Sequence, residues 1–246
     1  MDVRHIWFAT MMMMVAVRAE AAPGVGDPIY GATLEKGVTE FEARYGRLTG
    51  GSDSGEDGLV LEAEHDLSSR FSAAALVETS RSPGSARRVE ALAVEGVYTL
   101  GHIRPLALDT AIYAEFKHGL HGDADAIELK ALLEHRAGPF DARINLIGEK
   151  PLRSGEATEF GYAASVDWMV VGDEVRLGLA AFGDLGTAHH FARRQECFMG
   201  PEAKFEVERI GPGEIEIEAG WLKSFGAARD VTDGQARLLL SYEARF

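Results

Sequence analysis

The chain contains a single cysteine, Cys197. No intramolecular disulfide can form, which excludes the small disulfide-stapled folds of exported proteins. Long hydrophobic runs are missing too. The longest, Ile6 to Val17, falls short of the roughly 20 residues that a spanning helix needs. Positive charge is scarce: 25 Lys and Arg stand against 39 Asp and Glu, a net charge of -14. That balance argues against nucleic acid as a partner. There is no linker, no low-complexity tract and no long segment of helical period, and the length suits one domain. No serine-centred motif offers a nucleophile. Gly24-Val25-Gly26 and Gly211-Pro212-Gly213 are turn punctuation and not phosphate loops, because neither joins a strand to a helix. No catalytic residue and no cofactor is assigned.

The N-terminus has the layout of a secretory signal. Arg4 and His5 precede the apolar run, and Ala19-Glu20-Ala21 is an A-x-A cleavage pattern. Cleavage is expected after Ala21, giving a signal peptide over 1–21. An exported chain with no spanning helix can enter a membrane only by strands.

Strands are what the remainder supplies. Period-2 alternation predicts about twelve, over 38–48, 58–66, 70–79, 88–99, 106–117, 125–136, 139–149, 157–169, 174–184, 202–209, 214–224 and 235–246. In the sixth, Ile127, Leu129, Ala131 and Leu133 oppose Glu128, Lys130, Glu134 and Arg136. In the eleventh, Ile215, Ile217, Ala219 and Trp221 oppose Glu216 and Glu218. The fourth is ambiguous: Leu92, Val94 and Tyr98 share a face, yet Ala91, Ala93 and Val97 leave the other face apolar as well.

Alternation does not say which face is inside. A soluble sheet turns the apolar face inward, whereas a membrane barrel turns it outward. Connection lengths favour the barrel. Long polar segments (49–57, 80–87, 118–124, 150–156, 185–201, 225–234) mostly alternate with short turns, as external loops alternate with periplasmic turns. Aromatic placement agrees. On this reading Tyr45, Phe116, Phe160 and Trp221 fall near the outer strand ends, and Phe71, Tyr98, Phe140, Trp168 and Phe246 near the periplasmic ends. Two girdles are expected where rings sit at two bilayer interfaces.

The final strand carries the most specific sign. In Gly234 to Phe246, Ala236, Leu238, Leu240, Tyr242, Ala244 and Phe246 share one face, and the chain ends on the aromatic residue. This resembles the closing strand of Gram-negative outer-membrane β-barrels, and the resemblance implies that Tyr242 and Phe246 act as the assembly signal. It also implies a closed antiparallel up-and-down transmembrane β-barrel over 38–246, preceded by a periplasmic segment over 22–37. Location in the outer membrane follows, with lipid, lipopolysaccharide and the barrel-assembly machinery as partners. Arg87-Arg88 and Arg193-Arg194 are candidates for meeting lipopolysaccharide.

In this register Glu62, Glu64, Glu115, Lys117, Glu128, Lys130, Glu216, Glu218, Arg237 and Glu243 line the lumen. A wall richer in carboxylates than in basic groups favours cations. The expected function is a small cation-preferring channel or uptake porin for small solutes. A non-conducting anchor whose external loops bind a partner stands as the alternative, and an outer-membrane enzyme or metal-binding barrel as a third class. For metal, His118, His121, His189 and His190 offer the right ligand types. Their spacing is not diagnostic, and solvated loop histidines are the expectation.

Overall fold

In the computed structural model, the described residues are 26–172, 174–192 and 195–245. The expected signal peptide over 1–21, Arg193-Arg194 and Phe246 lie outside them. Twelve long strands form the barrel: β1 Val38–Thr49, β2 Asp57–Ser68, β3 Phe71–Arg81, β4 Arg88–Ile103, β5 Leu108–Gly119, β6 Ala126–Ala137, β7 Phe140–Pro151, β8 Glu159–Val171, β9 Val175–Thr187, β11 Glu196–Ile210, β12 Gly213–Gly226 and β13 Gly234–Arg245. A short strand, β10 (His190–Phe191), pairs only with β9 in a hairpin beyond the wall.

Each strand pairs antiparallel with its neighbours in chain order. The sheet closes where β13 pairs with β1, from Val38↔Arg245 to Thr49↔Gly234. Closure matters because lipid offers no hydrogen-bond partner to a free edge. The turns are of two kinds. At the end where β1 begins and β13 stops, called the terminal end below, hairpins are tight. Gly138 (φ +59°) and Gly211 (φ +66°) turn two of them, a left-handed conformation that costs glycine little. At the opposite end the connections 50–56, 82–87, 120–125, 152–158 and 227–233 are longer.

The wall is inside out relative to a soluble protein. Leu129, Leu146, Leu177, Leu238 and Leu240 point outward and are about half exposed, whereas Lys130, Glu134, Asp141 and Ser241 are buried inside. Rings collect at both rims. Phe140 stacks on Trp168 at 5.8 Å near the terminal end. Phe160 meets Phe191 edge-on at 5.9 Å at the opposite end.

Two boundaries differ from the sequence expectation. The predicted strand at 202–209 begins at Glu196, so the long loop over 185–201 contains the end of β9, all of β10 and the start of β11. Pro201 obscured this, since proline cannot donate within a ladder. Met199↔Lys223 is followed directly by Glu202↔Gly220 in the pairing with β12, while pairing with β9 runs unbroken through Pro201↔Leu179. Likewise β4 continues to Ile103, and its link to β5 shrinks to a 3-10 turn over Arg104–Leu106.

Candidate functional site

The inner wall has two chemically distinct sides. From β4 to β9, many inward positions are apolar: Val97, Ala111, Leu132, Ile147, Ala163 and Ala180, all almost fully buried. Water does not cover them. The chain upstream of β1 does, running inside the barrel from Gly26 toward the terminal end. Ile29 packs with Ile147, Ala163, Ala180, Phe182 and Leu222. Ala32, with Tyr30 and Leu34 beside it, packs with Val97, Ala111, Tyr113 and Leu132.

Directional bonds fix this segment in register. The Asn145 side chain accepts from the Tyr30 N–H at 2.8 Å and donates to the Tyr30 carbonyl at 3.0 Å, which satisfies one residue's backbone as a neighbouring strand would. Glu134 Oε2 accepts from the Ala32 N–H at 2.9 Å. Asp66 Oδ2 accepts from the Glu35 N–H at 2.7 Å. Arg237 donates to the Asp27 carbonyl, and its guanidinium lies 4.0 Å from the Phe182 ring centre.

Tyr30 forms the middle of a septum across the lumen. Its ring sits 4.8 Å from that of Tyr113. Lys130 Nζ lies 4.6 Å from the Tyr30 ring centre and 4.3 Å from the Tyr113 ring centre. Tyr113 Oη donates within reach of Glu95 Oε2 (2.6 Å) and Glu115 Oε2 (2.8 Å). Arg44 bridges Glu42 and Glu62, at 2.8 Å to each. One cation held by two carboxylates offsets only one of their charges, and its bonds rigidify the layer.

Cavities lie on either side of this septum. Toward the longer loops, about 220 Å³ is bordered by Glu78, Glu115, Lys117, Glu128, Lys130 and Glu149 among others. Toward the terminal end, about 290 Å³ is bordered by Glu40, Glu42, Glu62, Glu64, Glu216, Glu218 and Glu243, with Arg143 and Lys204 among the few basic groups.

The second cavity owes its charge to strand register. Glu214 opposes Glu243, Glu243 opposes Glu40, and Glu40 opposes Glu64. One row of carboxylates thus crosses β12, β13, β1 and β2. A row above it sets Glu206 against Glu216 and Glu42 against Glu62. Like charges placed directly opposite are unfavourable, so strand register alone concentrates carboxyl groups on this side of the wall. The N-terminal segment packs on the apolar side, and the cavity of about 290 Å³ lies between it and the acidic side.

All ten lumen residues singled out in the sequence project inward in this wall. Glu62, Glu64, Glu216, Glu218 and Glu243 border the cavity nearer the terminal end. Glu115, Lys117, Glu128 and Lys130 border the other, and Arg237 ties down Asp27. Sequence reasoning missed Glu95, Asn145 and the segment around Tyr30. The apolar inward face of the fourth strand was the available signal, because a water-filled lumen has no use for it. Of the two residues expected to form the assembly signal, Tyr242 donates to the Ile210 carbonyl at 3.2 Å; Phe246 lies outside the described residues.

The histidines do not converge. His118 pairs with Asp125 at 2.7 Å, His121 reaches the Val89 carbonyl at 3.1 Å, and His189 and His190 sit at the exposed β10 hairpin. Cys197 lies within β11, where it accepts from Tyr162 Oη at 3.4 Å. Arg87 and Arg88 are engaged by Asp57 and Glu90.

No sequence profile of a known family matches the chain, and no curated protein matches it in sequence. Solved structures match in shape. The KdgM porin superposes with a TM-score of 0.54 at 9% identity, over 84% of this chain and 99% of that one. The same porin in complex with disordered oligogalacturonate gives 0.53 at 10% identity, over 84% and 99%. An outer membrane channel from Pseudomonas putida F1 gives 0.60 at 12% identity, over 89% and 99%. The chain therefore has the fold of the outer-membrane β-barrels, closed and antiparallel.

Proposed function

We propose that this protein is an outer-membrane channel for small cations, exported through its N-terminal signal and narrowed by the segment that follows it. The observation that carries the proposal is the carboxylate array along β12, β13, β1 and β2, set by register and bordering the cavity beside the N-terminal segment. A low-dielectric wall of one sign concentrates counter-ions and repels co-ions. The KdgM porin has been seen with oligogalacturonate. A polyanion would meet carboxylates along this path, so that cargo is not proposed here.

The test is ion selectivity in a planar bilayer. Wild-type protein should pass small currents with a reversal potential on the cation side. Changing Glu62, Glu64, Glu216 and Glu218 together to Gln should reduce that preference, most visibly at low salt where screening is weak. An unchanged reversal potential would remove these carboxylates from the account. The septum around Tyr30 favours a second reading, a sealed barrel that anchors its outer loops. That reading requires no conductance in the wild type, with current appearing only once the septum is opened.

A further inference from the structure

We propose that Glu62, Glu64 and Glu95 form a binding site for one divalent cation, calcium by preference, on the inner wall beside Tyr30. Glu62 and Glu64 lie two apart on β2 and so share its inward face. Glu95 is on β4. Between them on β3 stands Ala74, which opposes Glu64 on one side and Glu95 on the other. Adjacent strands are about 4.8 Å apart, so two glutamates flanking an alanine can meet above its methyl group. They do: one carboxylate oxygen from each of the three glutamates lies within 4.8 Å of the others. A calcium ion bridges that span with oxygens at about 2.3–2.6 Å.

An independent observation comes from Glu95 itself. Its side chain is buried, with the residue 6% exposed. Oε2 is used by Tyr113 and Tyr30, at 2.6 and 3.3 Å. Oε1 is buried with no hydrogen-bond donor among the described residues. A buried carboxylate oxygen without a partner is costly, and a cation shared with Glu62 and Glu64 would satisfy it. Charge fits as well. Among the described residues no ion pair reaches Glu64 or Glu95, and the nearby Arg44 is divided between Glu42 and Glu62. The donors are hard oxygens, which suit calcium or magnesium and not zinc or copper. Calcium tolerates the irregular geometry of wall-mounted carboxylates better than magnesium, which demands a near-ideal octahedron.

The site does not depend on conduction. Its test is calorimetric titration of calcium chloride into the purified full-length barrel in detergent, at near-physiological potassium chloride. One saturable site per chain is expected. Glu95→Gln and Glu64→Gln should each weaken it by at least about tenfold, whereas Glu128→Gln, a carboxylate of the other cavity, should leave it within about twofold. Heat-modifiable gel mobility confirms that each variant is folded. If Glu95→Gln fails to fold, the partly exposed Glu64 decides the matter. Absence of saturable binding, full affinity in the folded variants, or equal weakening by Glu128→Gln would each overturn the site. Selectivity measured in the same preparation keeps the channel proposal separate, because a cation-selective barrel that binds no calcium defeats only this inference.

Discussion

Leu129 and Glu128 are chain neighbours with opposite solvents. Leu129 is 54% exposed on the outer face, and Glu128 pairs with Lys130 inside at 3.0 Å. Replacing Leu129 with Arg should cost about 2–4 kcal/mol, since it places a charge in hydrocarbon. Glu128→Gln should cost much less. Denaturant titration of the barrel refolded into lipid vesicles checks both; a silent Leu129→Arg beside an unfolding Glu128→Gln would reverse the two faces. Asn145→Ala makes a different prediction. It strands the Tyr30 N–H and carbonyl in an apolar seat, at about 1–3 kcal/mol per unsatisfied group. The strands do not need that pair, so the barrel should stay folded while the segment loosens and current through it becomes larger or noisier. At this scale the sequence was informative wherever alternation was clean, as in Glu128 to Lys130. It was silent on Glu95 and Asn145, whose roles depend on a segment carrying no periodic pattern.

Among the elements, that N-terminal segment is the one that packs inside the barrel. It adds no strand to the wall, and every strand pair from β1 to β13 closes without it. Deleting residues 26–36 should therefore preserve heat-modifiable mobility and strand content while exposing Val97, Leu132 and Ile147 to the lumen. A barrel that fails to assemble without the segment would give it a folding role instead. Strand identity was largely readable from period 2, because a wall between lipid and water must alternate. What resisted reading were places where another constraint intervened. Pro201 looks like a loop residue, yet it lies within β11. The two apolar faces of β4 look like noise, yet one points outward and the other packs inside the barrel, Val97 against the N-terminal segment and Ala93 against Val60 and Leu76.

At the level of the whole molecule, closure, the two rims of aromatic rings and the unequal turns are consequences of one environment. The sequence disclosed them because lipid imposes them on every strand alike. The lumen is less constrained, and whether its charges enclose a path depends on a segment outside the repeating pattern. The central claim is that the acidic side of the wall selects cations past the Tyr30 septum. It is tested most directly by the reversal potential across a planar bilayer in a potassium chloride gradient, compared between the wild type and the protein lacking residues 26–36. The account predicts a cation-side potential in both, with a several-fold larger unit conductance in the shortened protein. An anion-side potential in either protein, or no current in the shortened one, would contradict it.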